Sequence, residues 1–356
     1  MATCGYLTDV EGNYEYFERY MAISRVLYWA EGAEGELRLR DGCEFVFGGD
    51  AVDKGTGDVR FVNHLLQLKT TYPDRVHFIM GNRDCNKLRM HTELSDAGMQ
   101  AASDDASFPY WLPEKDRVTP AAACETEGGS VDSRVDRLKW MLKHTMGADG
   151  AFERRREELA LLEDAGPGGL ADDDIVESYL ESVAEGGWML EYLEKGQLAY
   201  TFGTTLFVHG AVTPDNIGCV PGAGRRSVSV AGWVRDLNAW AESQVREYKE
   251  SLQRPVEAFS YTKRPGHGLM DYGVPGGAEG KSVVYAGFLE NGNAKEVDGL
   301  VEQHLCEAGF NTVVAGHVPH GDCPCVIGGG AVRVVTCDTS YSEFGHRSDW
   351  GVDNRG

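Results

Sequence analysis

The sequence is short of positive charge. Its 356 residues include 34 lysines and arginines against 56 aspartates and glutamates, which gives a formal net charge of −22. Proteins that coat nucleic acid need a basic surface to neutralise phosphates, so this balance excludes that role. It does not exclude small phosphorylated substrates, because a bound metal ion can outweigh a distant acidic surface.

Membrane-length apolar runs, internal repeats and recognisable targeting or lipidation signals are also missing. The nine cysteines are an odd number and are scattered along the chain. We therefore expect reduced thiols, a cytoplasmic location and no membrane partner. Cys323 and Cys325 do not have the spacing of common zinc or thioredoxin motifs, so a turn with two thiols is favoured over a metal or redox pair.

Two short apolar runs, Phe45–Phe47 and Val76–Met80, end in glycine followed by polar side chains, in the stretches GGDAVDKG and GNRD. Between them, Asp58–Tyr72 has apolar residues at the spacing of an amphipathic helix. This pattern predicts a parallel βαβ unit. The carboxyl ends of its strands would bring four polar residues to one edge of the sheet: Asp50, Asp53, Asn82 and Asp84.

Three more predicted strands end in residues that can bind metals. Cys4–Leu7 precedes Asp9 and Glu11, which could face one crevice or could cap a helix predicted over Tyr14–Trp29. The other two strands precede histidines: Leu206–Val208 before His209, and Thr312–Ala315 before His317 and His320.

Together these blocks resemble the calcineurin-like metallophosphoesterase superfamily. GDAVDKG is similar to its GDxxDRG block, GNRD to GNH(D/E), VHGAVTP to VHGGLSP, and GHVPH to its terminal GHxH block. The stretch LLQLKTTYPDRVHFIMGN is most similar to the phosphoprotein phosphatase and diadenosine tetraphosphatase-like branches. The resemblance implies an α/β (α+β) fold in which two mixed sheets form a sandwich flanked by helices.

The resemblance also implies a binuclear metal site. Asp9 and Glu11 would bind the first ion, Asp50 would bridge, and the second ion would be bound by Asn82, His209 and His317. His320 would join the first ion if the extra residue before it lets the loop fold back. We expect two divalent ions, Mn²⁺ first and Mg²⁺, Fe or Zn²⁺ as alternatives, because Glu11 replaces the family's histidine with a hard oxygen donor. Such ions acidify a bridging water, and the resulting hydroxide would attack phosphorus in line.

Arg83 departs from the family pattern, because it stands where the family has a general-acid histidine. An arginine cannot release a proton near neutral pH, although it can clamp a phosphate with two parallel hydrogen bonds. We expect catalytic roles for Arg83, Asp84 and His320. Four residues are expected to contact the phosphorylated substrate, with a solvated loop as the alternative for the last two: Arg83, Lys54, Arg264 and His267.

The resemblance covers the two ends of the chain and leaves out the middle. We expect one domain over residues 1–356, with a mostly helical cap or side region inserted over 92–200. A second insert over 220–280 would contain a long helix and a Gly/Pro-rich loop. Arg154–Arg156 is interpreted as the solvated face of a helix. The helical insert would narrow the mouth of the site, and it could also contact a protein partner.

The function that these observations favour is a metal-dependent phosphoesterase that hydrolyses a phosphate ester or anhydride, with a small or nucleotide-type substrate. One alternative is a serine/threonine phosphoprotein phosphatase, which the YPDRVHFIMGN similarity favours. The other is a weak or inactive phosphoesterase fold with a binding or regulatory role, which the substitutions at Arg83 and Glu11 favour.

Overall fold

The computed structural model describes residues 3–32, 35–102, 108–164, 169–290, 293–321, 323–328 and 330–339. Two β-sheets form its centre. In chain order, the strands are β1 Thr3–Leu7, β2 Leu27–Trp29, β3 Leu37–Leu39, β4 Cys43–Phe47, β5 Val76–Ile79, β6 Gly196–Gln197, β7 Ala199–Phe202, β8 Thr205–Val208, β9 Leu289–Glu290, β10 Asn293–Ala294, β11 Thr312–Ala315, β12 Cys325–Ile327 and β13 Arg333–Thr336.

The first sheet has the strand order β1-β4-β5-β6, and all its pairs are parallel. The second sheet has the order β12-β13-β11-β8-β7, in which β11 runs parallel to both β8 and β13 while the two edge strands are antiparallel. Parallel neighbours bring their carboxyl ends to the same edge, which is the arrangement that the sequence predicted for the site.

The two sheets pack face to face. Alternate residues of a strand point to opposite faces, so Val46 faces the second sheet, whereas Phe45 and Phe47 face the helices. Val46 and Ile79 of the first sheet pack with Phe207 of the second. At one side of this layer the ring of His77 stacks on Tyr200, with 3.6 Å between centroids. The predicted α/β sandwich is confirmed, with the detail that the first sheet is parallel rather than mixed.

Helices cover the outer faces of the sandwich. They are α1 Tyr14–Ile23, α2 Asp58–Thr71, α3 Asn82–Asn86, α4 Arg89–Glu93, α5 Asp96–Ala102, α6 Pro120–Glu127, α7 Arg134–Trp140, α8 Ala151–Leu162, α9 Asp172–Ser182, α10 Trp188–Glu194, α11 Val230–Ser251, α12 His267–Tyr272 and α13 Gly299–Glu307, with shorter helical turns at Glu114–Asp116, Met141–Thr145 and Gly277–Gly280. None of the described helices combines the length and apolar character needed to cross a membrane.

Side chains of α8, in the middle of the chain, contact the start of α2. Glu158 accepts hydrogen bonds from the backbone N–H groups of Val59 and Arg60, each at 3.0 Å, so it caps a helix that has no cap of its own. Arg155 is buried and forms an ion pair with Asp58 at 3.1 Å. The interpretation of Arg154–Arg156 as a solvated face is therefore wrong for Arg155. The described residues between 92 and 200 are mostly helical, and their role as a cap stays a prediction.

Three predicted elements differ from the structure. The helix over Tyr14–Trp29 ends at Ile23, and Leu27–Trp29 instead forms a hairpin with β3. The apolar residues of Ser282–Phe288 predict a strand, but this segment is irregular because Ser282 Oγ accepts hydrogen bonds from the backbone N–H groups of Val284 and Tyr285. The Gly/Pro-rich loop contains α12, which begins at His267.

Candidate metal centre

The residues that follow five strands, β1, β4, β5, β8 and β11, meet where the carboxyl ends of the two sheets adjoin. The backbone N–H of Gly316 donates to the carbonyl of His209 at 2.7 Å, which joins the loops after β8 and β11. His209 Nδ1 donates to the carbonyl of Gly48 at 2.8 Å, which joins the second sheet to the first. The backbone N–H of His317 reaches the Asp9 carboxylate at 3.1 and 3.2 Å. The crevice is thus assembled from both sheets.

Several of these residues have left-handed backbone conformations that are rare outside glycine. The φ angles are 50° for Asp9, 49° for Glu11, 55° for Asp50 and 72° for His317. At Asp50 the conformation is fixed by the buried carboxylate of Asp84, which accepts N–H groups of Asp50 at 3.0 Å, Ala51 at 2.9 Å and Gly81 at 2.7 Å. Strained residues cluster at functional sites, because the surrounding structure must hold them there.

Asp50, His209 and His317 form a group that could hold a metal ion. Each offers one ligand atom, and these atoms lie within 4.8 Å of one another. The amide end of Asn82 lies 2.8 Å from His317 Nδ1 and 3.2 Å from His209 Nε2. Because Nδ1 of His209 donates to the Gly48 carbonyl, Nε2 is the ring nitrogen that faces the cluster and would coordinate an ion. Two imidazoles with a carboxylate and an amide suit a divalent transition metal, so these four residues fit one such ion.

Glycines make room for these ligands. A Cβ atom on Gly81 would lie 2.1 Å from Asp50 Oδ1, and one on Gly49 would lie 2.8 Å from His209 Nδ1. Both distances are too short for a real side chain, and Gly49 also has a φ of 100°. The GGD and GN portions of the motifs are therefore required by close approach as well as by backbone conformation.

The ionisable groups of this cluster influence one another strongly. Burial opposes the charge of Asp50, but His209 and Arg83 overcome it and hold the pKa of Asp50 below its ordinary value. Asp50 in turn raises the pKa of His209 to about 10 against the effect of burial. Burial and the neighbouring His209 lower the pKa of His317 to about 3. Because only neutral imidazole binds metal, a cation here would displace a proton from His209.

Arg83 lies on the other side of Asp50. Its Nε contacts the Glu11 carboxylate and lies 3.6 Å from Asp50 Oδ2, while Nη1 lies 3.5 Å from Asp53 Oδ2. Nη1 also donates to the carbonyl of Gly147 at 3.2 Å, so the helical region reaches the site. Lys54 lies 3.5 Å from Glu11, and Lys87 lies 2.7 Å from Asp53.

The residues expected to bind a first metal ion are thus engaged by groups of the chain itself. Glu11 contacts Arg83 and Lys54. Asp9 accepts the hydroxyl of Thr8 at 2.6 Å as well as the N–H of His317, and burial followed by the neighbouring Asp338 raises its pKa. Their service as metal ligands, and with it the binuclear arrangement, stays a prediction.

Two residues expected to be catalytic lie apart from the place where a substrate could react. Asp84 is completely buried, and its oxygens bind three backbone N–H groups, so it positions Asp50 and does not contact substrate. His320 Nδ1 donates to the carbonyl of Val318 at 3.3 Å, and its Nε2 accepts the hydroxyl of Thr336 at 3.3 Å. The structure therefore does not bring His320 into the cluster of Asp50, His209 and His317.

The two residues of the Gly/Pro-rich loop also have other partners. Arg264 is buried and forms an ion pair with Glu93 at 2.8 Å, beside Arg89, which pairs with the same carboxylate at 2.7 Å. His267 packs edge-on to the ring of Tyr110, with 6.2 Å between centroids. Arg264 therefore stabilises the packing of this loop on α4, and the alternative of a solvated loop is equally wrong for it.

Two residues at the site, Tyr285 and Lys87, were not singled out from the sequence. The ring of Tyr285 lies 4.9 Å from that of His317, and its side chain is partly exposed at the crevice. It falls in the segment that was predicted to be a strand. Lys87 and Asp53 form the buried pair beside Arg83. The spacing of Arg83 and Lys87 by four residues on one helix could have indicated that both face the same carboxylate.

Comparisons with known proteins do not show a family for this chain, so the assignment of its function depends on the geometry of the site. No protein-family model and no curated protein matches the chain. Among solved structures, the cold-active protein-tyrosine phosphatase of a psychrophilic Shewanella species aligns over 96% of this chain and 73% of its own, with 13% identity and a TM-score of 0.48. A protein serine/threonine phosphatase from Saccharomyces cerevisiae aligns over 94% and 66%, with 11% identity and a TM-score of 0.37. Scores this low carry no conclusion about fold or function.

Proposed function

We propose that this protein is a metal-dependent phosphatase that hydrolyses a phosphate ester or anhydride. The observation that carries the proposal is the convergence of Asp50, His209 and His317 beside the guanidinium of Arg83. A metal site adjoining a fixed arginine is a suitable receptor for a phosphoryl group, because both attract its oxygens. The five motif blocks, in the order of the metallophosphoesterases, support the same reading.

The cation that this ligand set suits would polarise a phosphoryl oxygen and acidify water at the site. The chain supplies the remaining requirements. Arg83 would align the phosphoryl group and stabilise the charge that develops on its oxygens. Asp84 keeps the Asp50 loop in its strained conformation, and the Gly48 carbonyl keeps the His209 ring in one orientation.

Because Arg83 cannot act as a general acid, the site favours substrates whose leaving groups need no protonation. Arg83 stays protonated, because Glu11 and its neighbours raise its pKa against the effect of burial. General acid catalysis usually supplies about 10² to 10⁴ in rate, and aryl oxides and phosphates need it least. We therefore propose aryl phosphates or phosphoanhydrides, including nucleotide-type ones, ahead of alkyl phosphates such as phosphoserine.

The proposal is tested with the purified full chain and added Mn²⁺. Release of product would be measured from an aryl phosphate, a phosphodiester, a dinucleoside polyphosphate, and phosphotyrosine and phosphoserine peptides. We expect turnover of the aryl phosphate or polyphosphate, its loss with a chelator, and a drop of more than about 100-fold in Asp50→Ala and His317→Ala. The exposed Asp41→Ala serves as the matched control and should leave the rate unchanged.

Two outcomes would change the assignment. A clear preference for the phosphoserine peptide would make the protein a phosphoprotein phosphatase. An absence of turnover with every divalent metal, in protein that circular dichroism shows to be folded, would overturn the proposal in favour of a binding or regulatory role.

A further inference from the structure

Arg83 lies between the two carboxylates that a first metal ion would have to share. We infer that its guanidinium takes the place of that ion, so the centre binds one divalent cation beside a fixed organic cation. The inference rests on the proposed function, and it concerns how many ions the site holds.

Asp50 faces a different partner on each side. Toward His209 and His317 it belongs to the group that can hold an ion. Its Oδ1 lies 3.5 Å from His209 Nε2 and also accepts the backbone N–H of Arg83 at 2.9 Å, whereas its Oδ2 lies 3.6 Å from the guanidinium Nε. A carboxylate bridges two cations by giving them different oxygens. Here Oδ2 faces a guanidinium, so Asp50 would share its two oxygens between one metal ion and Arg83.

Charge is balanced around Arg83. Three carboxylates face this side of the site, and three cationic side chains contact them: Glu11, Asp50 and Asp53 with Arg83, Lys54 and Lys87. All three carboxylates are buried. A second divalent ion between Glu11 and Asp50 would place two positive charges directly beside the guanidinium that already contacts both carboxylates, and like charges in such close contact are unfavourable.

Arg83 is held in this position from several directions. Its side chain is 12% exposed, and the contacts with Glu11 and Asp53 lie on different sides of the guanidinium. The Gly147 carbonyl binds Nη1 from the helical region. Displacing the side chain would break these contacts together, so a metal ion could not simply push it aside.

The arrangement has a consequence for substrate recognition. A guanidinium presents parallel N–H groups, whereas a metal ion presents open coordination positions. One ion and one arginine would therefore bind two different oxygens of a phosphoryl group in a fixed orientation. In the family that the sequence resembles, the two metal ions would share this binding of the phosphoryl oxygens.

The number of manganese ions bound per chain tests this inference without a measurement of activity. Protein equilibrated with excess MnCl₂ and passed through a desalting column would be analysed for manganese per chain, and its low-temperature electron paramagnetic resonance spectrum recorded. We expect one ion per chain with an uncoupled Mn²⁺ signal. Arg83→Ala should bind two ions and show an exchange-coupled pair, and the double variant Arg83→Ala/Glu11→Gln should return to one.

Arg154→Ala is the matched control. Arg154 lies beside the site and donates to the carbonyls of Asp53 and Asp149, but no contact with Glu11 or Asp50 is found among the described residues, so this variant should still bind one ion. Two ions in the wild type, or one ion in folded Arg83→Ala, would overturn the inference and leave the proposed function intact. No bound manganese in the wild type would overturn both.

Discussion

At the scale of single residues, we expect Tyr285 to supply the proton that Arg83 cannot. Its ring adjoins His317, and its hydroxyl is within electrostatic range of Arg83 and Asp50. Burial raises the pKa of Tyr285, so the phenol stays protonated at neutral pH and can donate a hydrogen bond. Asp84 and His320, for which the sequence predicts catalytic roles, are bound elsewhere.

Tyr285→Phe should therefore discriminate between leaving groups. We expect kcat for an alkyl phosphate to fall by about 10-fold or more, while kcat for an aryl phosphate changes little, because only the alkoxide needs protonation. The measurement is the ratio of the two kcat values in variant and wild type. An equal fall for both substrates would mean that Tyr285 positions the substrate and does not assist the leaving group.

At the scale of elements, the helical middle of the chain is joined to the sandwich by buried polar contacts as well as by apolar packing. Glu158 of α8 caps α2, and Arg155 of the same helix pairs with Asp58. Helix α2 connects the two strands that carry Asp50 and Asn82, so these contacts support the backbone of the site. They join residues about one hundred positions apart, and the local sequence contains no sign of them.

Glu158→Ala should destabilise the protein by about 2 kcal/mol, because it leaves two helix N–H groups without a cap and removes a carboxylate near Arg155. Urea unfolding followed by circular dichroism would measure the change. The adjacent and exposed Glu157→Ala is the control, for which we expect a change within about 0.5 kcal/mol. Equal effects in the two variants would show that the cap contributes nothing measurable.

The stability that the protein gains from packing the Gly/Pro-rich loop on α4 should depend on pH. Burial would raise the pKa of Glu93, but Arg89 and Arg264 lower it to about 2. Since this folded-state value is below the ordinary one, the stabilisation is complete above the unfolded pKa, near 4.5, and is lost as pH falls toward 2. We expect Glu93→Gln to destabilise the protein at pH 6.

The difference in unfolding free energy between Glu93→Gln and wild type should be about 1 kcal/mol smaller at pH 3.5 than at pH 6. Urea titrations of both proteins at the two pH values provide the comparison. A deficit of the same size at both pH values would contradict the low pKa.

At the scale of the whole molecule, the sequence predicts the site better than it predicts what surrounds it. Asp50, Asn82, His209 and His317 could be located because each follows an apolar run that is long enough to be a buried strand. The contacts of Arg83 could not, since they depend on how the side chain packs against loops from three parts of the chain. Ser282–Phe288 is apolar enough for a strand, but the Ser282 hydroxyl accepts hydrogen bonds from two of its backbone N–H groups.

The central claim is that side chains from both sheets bind one divalent ion next to Arg83. The most direct measurement is the anomalous difference map of a crystal grown in excess manganese. We expect one peak, coordinated by Asp50, His209 and His317, and no peak between Glu11 and Asp50. A second peak at Glu11 would contradict the single-ion centre, and a map without a peak at Asp50 and His317 would contradict the account as a whole.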